Sequence, residues 1–283
     1  MPRVHETAYP RFKTVVTKEE LCEVYTPTAE EVAFAAEQTR SATARLGLLV
    51  LLKTCQRLGY FVLLATVPRH IIAHITVSAG LTTTPEKLDT YDTSHSRSRH
   101  LSLVRTRLGI TACGPAARRT MVLAAREAAQ TKQDLADIMN VMLETLVHQR
   151  YELPTFSTLE RIAFSVRAAV NRRYYQHLAT GLDTLQRTRL ESLLTRPPDA
   201  RRSPWDRHKQ TPKSPTIKHM KESLAHLHWL RSQDLPLSLF AAIPAIKCEQ
   251  FAAEARSLDV SGMNRLRWSK RYALAATLCR HQV

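Results

Sequence analysis

Arginines that stand far from any carboxylate are the residues of this chain best placed to do chemistry, and the chemistry they suit is neutralisation of phosphate. Between Asp92 and Glu127 lie Arg97, Arg99, Arg105, Arg107, Arg118, Arg119 and Arg126, with no acidic residue among them. Glu160 and Asp183 bracket Arg161, Arg167, Arg172 and Arg173 in the same way, and Arg265, Arg267, Lys270, Arg271 and Arg280 follow Asp259. Cations without partners build a positive field, whose usual complement is a nucleic-acid backbone. Arg172-Arg173-Tyr174-Tyr175 reads as the end of a helix with two alternatives open. Either the arginines meet phosphate while a ring packs on sugar, or they complement the helix C-terminal dipole while the tyrosines join the core. Arg201, Arg202, Arg207, Lys209 and Lys213 surround Trp205, a mixture that fits a strand lying in a groove or a flexible connector.

Other chemistries find less support. His70 and His74 have the four-residue spacing of two ligands on one helix face, yet no third ligand stands at the needed offset. His226 and His228 would point to different sides of a helix. Cys113 precedes Gly114-Pro115, where a helix N-terminus would lower its pKa, but it has no placed base. Asp89 and Asp92 lack a third carboxylate. With no G-x-S-x-G, Walker loop or G-x-G-x-x-G in the chain, we expect no catalytic residue, no metal and no cofactor.

Composition agrees with a cationic, folded binder. The 283 residues carry a formal net charge of +16 with 44% hydrophobic residues, enough for a substantial core and two small domains. Five cysteines, an odd number in no C-x-x-C pair, suit reduced thiols in a cytosolic compartment. Leu46 to Leu52 is the longest apolar stretch and stops at Lys53, too short for a membrane span, and no secretory signal core opens the chain.

The elements that must carry these residues read as helices, about ten of them. Thr17 to Glu20, Thr28 to Glu31 and Ser157 to Glu160 have the form of capping boxes, and Thr131 to Asp134 is a close variant. Gly114-Pro115 and Ser214-Pro215 place proline at a first helical position. Leu135, Ile138, Met139, Met142 and Leu146 recur on one helical face, as do Leu159, Ile162, Ala163, Val166 and Val170. Leu46 to Leu52 reads as the central helix of its module, covered on most sides. Polar or proline-rich stretches divide the chain into a helical module (1–90), an arginine-rich helical module (91–195), an exposed basic linker (196–215) and C-terminal helices (216–283). The fold class is all-α, with helix-turn-helix-like elements joined by basic linkers. One such pair would run from Arg97–Arg107 through a turn at Gly109 and Gly114 to Arg118-Arg119.

Three stretches together resemble the N-terminal region of the Tn-three family of replicative transposases. Arg45-Leu46-Gly47-Leu48, with Val67-Pro68-Arg69-His70 after it, is similar to the family's N-R-L-G segment and the helix that follows. Arg99-His100-Leu101 through Arg105-Thr106-Arg107-Leu108-Gly109 resembles R-x-x-H-x-x-x-I-R-x-x-L-G, and Leu153-Pro154 through Leu159-Glu160-Arg161 resembles L-P-x-x-x-x-L-E-R. Thr43-Ala44 and Lys53-Thr54 depart from the family pattern.

The resemblance implies binding of double-stranded DNA at transposon terminal inverted repeats, a full-length transposase as a further partner, and a place in the bacterial cytoplasm on the nucleoid. The family's Asp-Asp-Glu triad lies in a later RNase H-like domain, so binding without cleavage is the expectation for this chain. A helical module meeting an acidic protein or RNA, or a remnant without a role, are the alternatives.

Overall fold

The computed structural model describes residues 3–13, 15–83, 85–88, 90–196, 198, 203–209, 214 and 216–281. It is all-α. The first eight helices are α1 (Lys18–Glu20), α2 (Ala29–Gln38), α3 (Ala42–Leu58), α4 (Arg69–Ser78), α5 (His95–Leu108), α6 (Pro115–Thr131), α7 (Leu135–His148) and α8 (Phe156–Gly181). There follow α9 (Thr184–Leu194), α10 (Pro204–His208), α11 (Ile217–Ser232), α12 (Leu237–Ala241), α13 (Ala245–Ser257), α14 (Val260–Asn264) and α15 (Trp268–His281). Among the described residues there is no β-sheet, only an isolated bridge between Thr111 and Tyr151. Two compact units divide the chain: Met1–Ala125 with Leu135–Ala163, and Arg126–Asp134 with Phe164–Val283.

In the first unit α3 is the central element. Ser41 caps it by accepting from the Ala44 N–H at 3.1 Å, and Gly59 ends it in the left-handed conformation, φ 74°, donating to the Cys55 carbonyl at 2.8 Å. Every residue from Leu46 to Cys55 is buried, because α2, α4 and α5 all pack on this helix. Each leucine so enclosed stabilises the fold by roughly 1.5–3 kcal/mol. Gly47 admits the ring of Tyr91, which lies so close that a Cβ there would collide with it. The Tyr91 hydroxyl in turn hydrogen-bonds to His100 Nδ1 on α5. The Leu153 N–H donates to the Gly59 carbonyl at 2.8 Å. The three stretches that resemble the transposase family therefore meet in this one unit.

The second unit gathers its core from α8, α9 and α13–α15, around Phe251, Leu274 and Trp205. Residues 196–215, expected as an exposed linker, differ at their centre. Trp205 on α10 is fully buried and its Nε1 donates to the Leu258 carbonyl at 2.9 Å. An indole that can both bury its ring and satisfy its N–H is worth more to the core than to solvent.

Helix starts also shift in places. Thr28 does form its capping box with Glu31, and Thr17 accepts from the Glu20 N–H. However, α8 begins at Phe156, one residue before Ser157, with the Thr155 hydroxyl beside those of Ser157 and Thr158. Thr131 closes α6 rather than opening a helix, and α7 starts after Asp134. For α11 the cap is Thr216, accepting from the His219 N–H at 3.3 Å, while Pro215 lies outside the described residues.

Candidate nucleic-acid interface

The arginines of α5 have carboxylate partners that the local sequence does not show. Arg97 donates through Nε to Asp92 Oδ1 at 3.0 Å and also reaches the Val62 carbonyl. Arg105 pairs with Glu152 at 3.0 Å while its guanidinium lies 5.0 Å from the Phe61 ring centroid. Arg107 stands 3.7 Å from Glu30 and over Phe34. Arg99 donates to the Gln38 carbonyl and has no carboxylate among the described residues. The expectation that this run lacks balancing acids thus fails for three of its four helix residues, because the fold brings Glu152 and Glu30 from distant segments and Asp92, at the edge of the run, turns onto Arg97.

The arginines of α6 are different. Arg118 and Arg119 sit in its first turn, exposed, with no side-chain partner among the described residues. Gly109 ends α5 with φ 62°, and the connection to Pro115 is held by Thr111, which exchanges backbone hydrogen bonds with Arg150 and Glu152 at 2.8 Å each. The helix therefore leaves a fixed start. Its next turn also presents Val122 and Leu123 to solvent, 38% and 64% exposed. Unpaired cations beside small apolar groups on one stretch of helix match what a major groove offers, phosphates at its edge and thymine methyls on its floor.

In the second unit Arg172 and Arg173 are exposed on α8, but not at its end. Nothing between Tyr175 and Gly181 breaks a helix, so α8 runs to Gly181 and the dipole reading of this pair falls away. Arg172 joins a groove of about 950 Å³ between the α8 and α13–α15 segments, whose lining includes Arg167, Arg265, Arg267 and Lys270 against the single carboxylate Glu254. Sequence reasoning placed none of those four among the contact residues. Their signal was the two carboxylate-free runs, between Glu160 and Asp183 and after Asp259, which come together only once α15 folds against α8.

Of the segment around Trp205, Arg201, Arg202 and Lys213 lie outside the described residues, as does the side chain of Arg207. Lys209 is turned inward, donating to the Leu258 carbonyl at 2.6 Å and standing 3.8 Å from Asp206.

Among the described residues no group of three His, Cys, Asp or Glu side chains could hold a metal ion. His74 is engaged by Thr26 Oγ1 at 2.8 Å, and Asp92 by Arg97 and the Ala65 N–H, while Asp89 lies outside the described residues. Burial, and then Glu152, push the Cys113 thiol up, the opposite of the lowering that its position before a helix suggests. No helix among the described residues is long and apolar enough to cross a membrane.

Fold and surface together define an all-α protein with cations concentrated on helix faces. Residues 2–166 match the family described as Domain of unknown function (DUF4158), and the chain belongs to that family. It is similar to the transposase for transposon Tn501 of Pseudomonas aeruginosa, 26% identical over 183 residues that cover 65% of this chain and 18% of the relative. Similarity to the transposase for transposon Tn3926 of Escherichia coli extends further, 26% identical over 264 residues, 92% of this chain and 26% of the relative. These relatives agree with the resemblance to Tn-three-family transposases carried by the motifs around Gly47, His100 and Leu153. The chain spans about a quarter or less of their length.

Proposed function

We propose that this chain is a DNA-binding segment for transposition that grips the terminal inverted repeats of a transposon and contributes no catalytic residue of its own. The observation that carries the reading is the contrast between two neighbouring helices. Arg97 and Arg105 on α5 are held by carboxylates and Arg107 stands near one, whereas Arg118 and Arg119 at the start of α6 have no side-chain partner among the described residues and can meet phosphate. α5 and α6 act as the helix-turn-helix-like pair, with α6 the helix that enters a major groove. Net charge of +16 supplies the long-range attraction, and a full-length transposase on the same DNA is the second partner. The setting is the bacterial cytoplasm, on nucleoid DNA.

The test is fluorescence anisotropy of the purified chain with two duplexes, the terminal inverted repeat and a scrambled control, across a salt series. Tighter binding to the repeat with a steep loss of affinity as salt rises is the expected result. Equal affinity for both duplexes would remove end recognition, and no binding to either would remove the DNA reading altogether.

A further inference from the structure

The groove of the second unit has a make-up that duplex binding does not require. Its walls present two large rings to solvent, Phe164 on α8 at 50% exposure and Trp268 at the first position of α15 at 51%. Arg172 and Arg267 line it with no side-chain partner among the described residues. The one carboxylate, Glu254, is already engaged by Lys270 at 2.6 Å and by the Tyr175 hydroxyl at 3.3 Å. Gln133 also lines the groove, and its orientation is fixed. Lys247 Nζ, fully buried on α13, donates to Gln133 Oε1 and to the Lys132 carbonyl at 3.0 Å each. Asn171 Nδ2 donates to the same Oε1 at 3.3 Å. Two donors on the oxygen leave the Gln133 amide NH₂ turned away from them, with no acceptor among the described residues.

We infer that this groove takes an unpaired stretch of a DNA strand, its bases stacked on Trp268 and Phe164, its phosphates on Arg172 and Arg267, and a base edge on the Gln133 amide. Three features select this occupant. A groove of about 950 Å³ has room for a base with its sugar and phosphate. Exposed rings in a concave cationic wall are the stacking platforms of single-strand binders, since every base has a π-face. A duplex hides those faces, so it would gain nothing from Trp268. The inference rests on the reading of the chain as a DNA binder but concerns a different surface from α6.

Trp268 also supplies the readout, because Trp205 is fully buried and Trp229 partly so. We would titrate the full chain with a short oligo(dT), with an abasic strand of equal length, and with the blunt repeat duplex, following tryptophan emission and anisotropy. The expected result is quenching by oligo(dT), with affinity about tenfold above that for the abasic strand. Trp268→Ala should lose that advantage, Trp268→Phe should keep most of it, and neither should change binding of the duplex. Equal affinity for oligo(dT) and the abasic strand would show that charge alone is read and would overturn the inference, as would unchanged oligo(dT) binding by a folded Trp268→Ala chain. Loss of duplex binding alone, with oligo(dT) binding intact, would strike the inverted-repeat reading and leave this one standing.

Discussion

Lys53 Nζ lies 3.2 Å from Glu31 Oε2 inside the first unit, with both side chains only 8% exposed. Burial alone would push the Glu31 carboxyl up, but the Thr28 N–H, the Gln56 amide and Lys53 together hold it below the usual carboxylate range. The same carboxylate closes the capping box of α2, so one group fixes a helix start and neutralises a cation on α3. Lys53 is one of the positions where this chain departs from the transposase pattern, and here the departure has a partner.

Removing one member of such a pair leaves an uncompensated buried charge. Lys53→Met should therefore destabilise the chain by about 3–5 kcal/mol in urea unfolding. The double variant Lys53→Met with Glu31→Gln should recover part of that loss, because no buried charge remains. A Lys53→Met chain as stable as the parent would show that Glu31 finds water instead.

Gly47 should tolerate no side chain. The Tyr91 ring occupies the space a Cβ would need, and it is held from behind by its hydrogen bond to His100. Gly47→Ala should cost about 1–3 kcal/mol, the usual penalty for overfilling a packed core, despite alanine's better helix propensity. If the tyrosine yields, Gly47→Ala in a Tyr91→Leu background should cost less than in the parent, a coupling that a double-mutant cycle measures.

How far these features were legible depends on the separation of the residues involved. The continuous apolar run at Leu46–Leu52 and the cap at Thr28 are local, and α3 and α2 follow them. Arg105 and Glu152 are 47 residues apart, so a scan for nearby acids could not pair them. Trp205 was read by its basic neighbours in sequence, whereas its environment is the Leu258 carbonyl and a core assembled from helices on both sides of it in the chain. The groove residues Arg265 and Arg267 were visible as cations without acids, with Trp268 next to them in sequence, but only the packing of their segment within its unit brings them to Phe164 and Arg172 on α8. Short-range signals gave caps, faces and helices; charge partnerships required the tertiary fold.

His208 makes the second unit sensitive to acid. Burial holds its imidazole neutral, and the neighbouring His226 and Arg256 add to the effect, so its pKa falls from 6.5 to about 4. The unfolded chain then takes up a proton near pH 6.5 that the folded chain refuses until about pH 4. Stability from this residue is complete above pH 6.5 and declines as pH falls through that window, by on the order of 3 kcal/mol. His208→Phe should flatten that part of the urea-midpoint curve relative to the parent. Parallel curves for the two chains between pH 7 and pH 4 would mean that His208 does not titrate differently on unfolding.

The two arginine classes of the first unit should separate cleanly in DNA binding. Arg118 and Arg119 have no internal partner among the described residues, so replacing both by alanine should leave the unfolding midpoint nearly unchanged. Each phosphate contact contributes about 0.9 to the slope of log affinity against log salt, and the double variant should lower that slope by nearly 2. Arg105→Ala should do the reverse. It strands Glu152 in a half-buried site and removes a cation from the face of Phe61, so the loss should appear in stability. Its salt slope should match the parent's, measured at a temperature where both chains are folded. If Arg105→Ala lowers the slope while the α6 variant does not, the duplex lies along α5, and the carboxylates that hold those arginines must give way to phosphate on binding.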